Sequence, residues 1–257
     1  MSRSIRMAAA ILMTSGALAS APIARAQEFT AQQKDAIGKI VHDYLIQNPE
    51  VLREAIAELD RRQKSDEAAQ RASAIETVST QVFDSKHQSV IGNPNGKVTL
   101  VEFFDYNCGY CKKSLPDIAR LTKENPDLRV VLRDFPVLGP GSVEASQVAM
   151  AVGKQLQGDK FLAFHQKLLG SRSHVGKEQA LAVARDSGVD MSQLDKDMKS
   201  PEIRAGIEEV MHIADKLALT GTPSWVVGKE VVVGAVGYSE LAGKIANFKK
   251  CGKTACG

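Results

Sequence analysis

The order of strand-like and helix-like runs constrains this chain more than any other feature. Lys97-Val98-Thr99-Leu100-Val101-Glu102-Phe103-Phe104 is a short run rich in β-branched and aromatic residues, the pattern of a buried strand. Cys111 to Lys123 reads as a helix, and Leu128-Arg129-Val130-Val131-Leu132-Arg133 as a second strand. Strand–helix–strand implies parallel pairing and a right-handed crossover. From about 142 to 220 every pattern is helical: Val143 to Leu156, Phe161 to Leu169, Glu178 to Ser187 and Pro201 to Leu219. Strands return at Ser224-Trp225-Val226-Val227 and Val231-Val232-Val233, and the Gly228-Lys229 turn between them predicts an antiparallel hairpin. Tyr238 to Phe248 closes the chain as a helix. An α/β sheet interrupted by a helical insertion over about 142–220 follows, in a domain spanning 91–257.

Upstream of that domain the character differs. Arg3 and Arg6 precede a small, apolar stretch from Met7 to Ala19, and Ala24-Arg25-Ala26 is an A-x-A cleavage signal. Residues 1–26 therefore read as an export signal, with a buried first helix as the alternative. The apolar run is shorter than the roughly 20 residues a bilayer requires. Taking Arg3, Arg6 and Arg25 out of the 33 basic residues leaves them in balance with the 30 acidic ones. That balance advertises neither nucleic acid nor an anionic membrane as partner. The expected product, about 27–257, is exported, with the bacterial periplasm as the leading compartment.

Over 27–59, Ile37, Ile40, Val41 and Tyr44 recur at helical spacing, and Asn48-Pro49 marks a new helix start. The second helix presents Val51, Leu52, Ala55, Ile56 and Leu59 on one side. Two short helices cannot bury both stripes alone, so the stripes either pack on their own domain or drive self-association. Asp60 to Ala74 contains no large apolar residue, which fits a solvated, charged helix of about 22 Å. We read 60–90 as a charged helical linker; an ordinary surface helix is the alternative.

The chain holds four cysteines: Cys108 and Cys111 as C-x-x-C, and Cys251 and Cys256 as C-x4-C. An oxidising compartment permits three pairings, and short loops favour 108–111 and 251–256. A zinc site of all four is disfavoured by their separation in sequence and by the lack of a flanking His. His42, His87, His165, His174 and His212 are scattered and read as surface or packed side chains. Thiol–disulfide exchange needs a thiolate, and Cys108 falls where a helix begins. Unpaired N–H groups and the positive end of the helix dipole stabilise an anion there. Cys111, one turn deeper on the same side, can attack a mixed disulfide on Cys108. Gly109 and Tyr110, between the sulfurs, should tune the potential. The alternative is a structural disulfide, which would staple very little chain.

Phe103-Phe104-Asp105-Tyr106-Asn107-Cys108-Gly109-Tyr110-Cys111 at a strand-to-helix junction resembles the redox site of the thioredoxin superfamily. The helical block followed by Gly221-Thr222-Pro223 resembles the DsbA branch, and with its N-terminal extension the chain is most similar to ScsC-type periplasmic proteins. The resemblance implies a thioredoxin-like fold with an inserted helical domain and an N-terminal oligomerisation extension, a homotrimer being favoured. It implies a thiol–disulfide oxidoreductase acting on cysteine-containing exported proteins, with no cofactor beyond its own redox-active disulfide. Glu102 takes the place of the family's buried acid, carrying the Cys111 proton with a raised pKa; an edge-strand surface charge is the alternative. Pro116 resembles the kink proline. Thr222-Pro223 resembles the Thr–cis-Pro that lies against the sulfurs and pairs with an extended client, against an ordinary trans turn. Cys-Gly-Tyr-Cys with Thr before the proline resembles disulfide isomerases and reductases, which implies a membrane electron donor. A monomeric dithiol oxidase and a Cu(I)-binding copper-tolerance protein are the competing readings. Cys251 and Cys256 fall outside the pattern and are expected to form a local structural disulfide.

Overall fold

In a computed structural model the chain is described from residue 28 to residue 256, so the export-signal reading of 1–26 lies outside the described residues. Two compact units divide after Glu58. The first contains α1 (Ala31–Gln47) and the start of α2 (Pro49–Thr77). Thr30 begins α1 with a capping box: its hydroxyl accepts the Gln33 N–H while the Gln33 side chain accepts the Thr30 N–H. Asn48 ends α1, its backbone N–H and its side-chain amide both donating to the Tyr44 carbonyl, and Pro49 opens α2 where a missing N–H costs nothing. No residue of α1 is buried; Ile40 and Ile46 are 67% and 69% exposed.

The second unit is built on a five-stranded sheet of order β1-β3-β2-β4-β5, comprising β1 (Ser89–Gly92), β2 (Val98–Phe104), β3 (Leu128–Asp134), β4 (Ser224–Val227) and β5 (Glu230–Val233). β2 and β3 run parallel, joined through α4 (Gly109–Glu124), while β4 and β5 form the antiparallel hairpin. The pleat sorts β2 by alternation. Val98, Leu100 and Phe104 enter one core with Ile118 and Leu121 of α4 and Leu241 and Ile245 of α10 (Tyr238–Cys251). Val101 and Phe103 enter a second core with Val82 of α3 (Ser79–Phe83) and with Val210 and Ile213 of α9 (Pro201–Lys216). The insertion is wholly helical: α5 (Pro140–Val152), α6 (Gly158–Leu169), α7 (Lys177–Asp186), α8 (Met191–Met198) and α9.

Two elements escaped the sequence reading. The linker expected over 60–90 ends early, because Ile75, Val78 and Val82 are buried in the second core and Ser89–Gly92 is already a strand, antiparallel to β3. A four-residue strand beside a turn leaves little periodicity to read. The helix α8 is only eight residues long; its signal was Asp190, whose carboxylate accepts the N–H groups of Ser192 and Gln193 at 2.8 and 3.0 Å.

Candidate active site

Cys108 is the N-cap of α4, in extended backbone with φ −76° and ψ 116°. Its N–H donates to the Asp105 carbonyl at 3.0 Å and its own carbonyl accepts the Lys112 N–H at 3.1 Å. Its Sγ accepts the Cys111 N–H at 3.4 Å, while the thiol donates to the Thr222 carbonyl at 3.2 Å. Thr222–Pro223 is a cis peptide bond. Both thiols are free; Cys108 is 5% exposed and Cys111, one turn in, is fully buried. Gly109 and Tyr110 face solvent between them, with Lys113 Nζ 5.2 Å from the centre of the Tyr110 ring. Pro116 lies inside α4, where it withholds an N–H from the Lys112 carbonyl.

Glu102 sits in the central strand, paired with Leu132 of β3 and Trp225 of β4, so it is not an edge-strand surface charge. Alternation puts it on the Leu100 and Phe104 face, the side that also holds Cys111 and α4. It is 2% exposed, and burial pushes its carboxyl up to about 8. Burial, followed by the nearby Glu102 charge, pushes the Cys111 thiol far above its ordinary value. A carboxyl that can exchange a proton near neutrality thus shares one face of the sheet with a thiol that burial keeps protonated.

Several residues of the site escaped the sequence reading. Asp105, fully buried, accepts the Asn107 N–H and the Ser142 hydroxyl, each at 2.7 Å, and the Val137 and Leu138 N–H groups at 2.8 and 3.0 Å. An Asp two residues before Asn107 is the local signature of such a turn, but its contacts to 137, 138 and 142 are long-range. Lys112 Nζ donates to the Ser171 carbonyl at 2.8 Å. The Tyr106 hydroxyl meets His165 Nδ1 at 3.3 Å, beneath the thiol loop. Burial lowers His165 to about 3, so this ring is a neutral, packed side chain against Phe104 and Tyr106. Among the described residues, no group of three or more His, Cys, Asp or Glu is placed to hold a metal ion.

The profile of the DsbA-like thioredoxin domain matches residues 99–246, more than half of the chain. The chain belongs to the DsbA-like thioredoxin family. Residues 33–65 match a second profile, the N-terminal domain of copper resistance protein ScsC. A thioredoxin-like oxidoreductase from Silicibacter pomeroyi is 39% identical, superposing on 67% of this DsbA-like chain and 98% of its own with a TM-score of 0.63. ScsC of Proteus mirabilis in a transitional conformation is 30% identical over 83% of this chain and 94% of its own, with a TM-score of 0.61. A probable disulfide bond formation protein D from Bacillus anthracis is 26% identical over 155 residues, 56% of this chain and 71% of that one. A Na(+)/H(+) antiporter from Salinispora arenicola matches at 26% identity over only a quarter of its length.

At the far end of the DsbA-like domain, Cys251 and Cys256 are joined by a disulfide, and Gly252 turns the chain out of α10 in the left-handed region at φ +71°. Asn247 Nδ2 donates to the Thr254 carbonyl at 3.0 Å, fixing the small loop. Replacing both cysteines by Ser is expected to lower stability by about 2 kcal/mol, the loop-closure entropy of so short a bridge. Turnover should be unchanged. Denaturant unfolding alongside a disulfide-reduction assay checks both, and loss of turnover in the double variant would give this bridge a redox role.

Proposed function

We propose that this chain is a periplasmic thiol–disulfide oxidoreductase that reduces and isomerises disulfides of exported proteins. One observation carries the reading: a free Cys108 thiol at a helix N-cap, against the Thr222 carbonyl, with Cys111 and Glu102 buried behind it. The Cys108 thiolate attacks one sulfur of a client disulfide; the Cys108–client bond forms and the other client sulfur leaves as a thiolate. Isomerisation follows when another client thiolate attacks the client sulfur and expels Cys108 unchanged. Reduction follows when Cys111, its proton taken by Glu102, attacks Cys108 Sγ. The Cys108–Cys111 disulfide forms, and the second client thiolate leaves. Repeated turnover then needs an electron donor, which we assign to the membrane.

The N-terminal helices support a homo-oligomer, with a trimer favoured by the likeness to ScsC. Ile40, Val41, Tyr44, Ile46, Leu52 and Ile56 are each about half exposed or more, an apolar surface that a lone chain leaves in water at about 25 cal/mol per Å². Deleting residues 27–58 should leave a folded monomer that still reduces a simple disulfide, because the thiol site lies wholly in the second unit. The same deletion should slow the refolding of a scrambled, multi-disulfide client, which benefits from several neighbouring sites. Light scattering and both assays test this. A monomeric full-length chain would remove the oligomer, and undiminished isomerisation by the truncation would remove its purpose.

A second reading rests on the ScsC match. Two soft thiols could hold Cu(I), and competition with a Cu(I) chelator, compared between the native chain and Cys108→Ala, measures it.

A further inference from the structure

The loop that carries the nucleophile is fastened to the helical insertion by the side chain directly before Cys108. Asn107 Oδ1 accepts the Val175 N–H at 2.7 Å, and Nδ2 donates to the Val175 carbonyl at 2.9 Å and to Ser142 Oγ at 3.0 Å. One amide thus answers both main-chain groups of Val175, a fully buried residue between α6 and α7. Ser142, in the first turn of α5, donates its own hydroxyl hydrogen bond to Asp105 Oδ1, and Asp105 holds the Cys108 N–H through its main-chain carbonyl. The strand β2 delivers this loop, but the insertion fixes where it stops.

That placement matters because the donation from Cys108 Sγ to the Thr222 carbonyl belongs to the dithiol form: a disulfide sulfur has no hydrogen to give. The Cys111 N–H and the Thr222 carbonyl can meet the sulfur only while the loop holds Cys108 at the N-cap. Interactions made in the dithiol and lost in the disulfide make the pair more oxidising. We propose that Asn107 is a positioning residue through which the helical insertion sets the placement of reduced Cys108, and so the redox equilibrium of the Cys108–Cys111 pair. The inference rests on the thiol-exchange reading.

Equilibration with glutathione tests it. Two glutathione thiols give two electrons and two protons to the Cys108–Cys111 disulfide, yielding two protein thiols and oxidised glutathione. On the full mature chain, Asn107→Ala should move this equilibrium toward the protein disulfide by roughly fivefold, the worth of about one net hydrogen bond. Ser142→Ala, which loses fewer of these bonds, should move it the same way by less, and it carries the test if Asn107→Ala fails to fold.

Asn93 supplies a matched control at another loop, donating to the Pro126 carbonyl and accepting the Asn95 N–H, each at 2.9 Å. Asn93→Ala should lower the melting temperature by a comparable loss of loop hydrogen bonds yet leave the equilibrium within about twofold, since its loop precedes β2 and the thiols follow the opposite end of that strand. An unmoved equilibrium in both site variants, a shift toward the dithiol, or an equal shift in Asn93→Ala would overturn the role of Asn107. A native chain that exchanges no disulfide with glutathione would instead overturn the function itself, and the proposal with it.

Discussion

Cys108→Ala is expected to reduce disulfide exchange to the uncatalysed background, whereas Cys111→Ala should leave a chain arrested on its clients. The asymmetry follows from position. Cys108 alone has solvent contact, alone caps α4, and alone touches the Thr222 carbonyl. Cys111 is fully buried, and its thiol is pushed up by burial and by Glu102, so it cannot open an attack on a client. It can only resolve one, because the mixed disulfide brings its target sulfur to within one helical turn. Cys111→Ala should therefore accumulate client-linked protein on non-reducing gels, released by added thiol, while simple reduction falls sharply. If Cys108→Ala retained turnover, or if Cys111→Ala formed no adducts, the nucleophile would be misassigned.

Much of this was legible before the structure. The strands read at 97–104, 128–133 and 224–227 fall within a residue of their observed limits, because runs rich in β-branched and apolar residues arise where strands are buried on both faces. The thiols were legible because a C-x-x-C at a strand-to-helix junction has few other uses. Glu102 was half legible. Its acid chemistry was plain, but its burial was settled only by β3 and β4 closing on both sides of β2 and by α4 packing over its face. Asn107 and Ser142 were not legible at all, since their partners lie 68 and 37 residues away and a single sequence carries no trace of such pairings. β1 was lost for a different reason: four residues, two of them apolar, directly before a turn do not announce a strand.

Glu102→Gln should stabilise the protein at alkaline pH while crippling it. Burial raises the Glu102 carboxyl from 4.5 to about 8. Between those values the folded state keeps a proton that the unfolded chain has lost, so stability falls as pH rises. The contribution of Glu102 is fully present below about pH 4.5 and gone above about pH 8. At 1.36 kcal/mol per pH unit the whole change is of the order of 5 kcal/mol. Gln cannot ionise, so the variant should match the native chain near pH 4 and exceed it by up to that amount near pH 8. Asp134, raised to about 7 by burial, adds a slope of the same sign, but both proteins carry it and the difference isolates Glu102. Activity should move the other way. Without the carboxylate, attack of Cys111 on the mixed disulfide loses its general base, a loss of about 100-fold or more at neutral pH. The inflection near pH 8 in that step should vanish with it. Denaturant unfolding across pH 5 to 9 and rapid-quench trapping of the mixed disulfide measure the two effects on one pair of proteins. Parallel stability profiles would show that Glu102 is ionised when folded. An unslowed release of client would show that Cys111 loses its proton to another group.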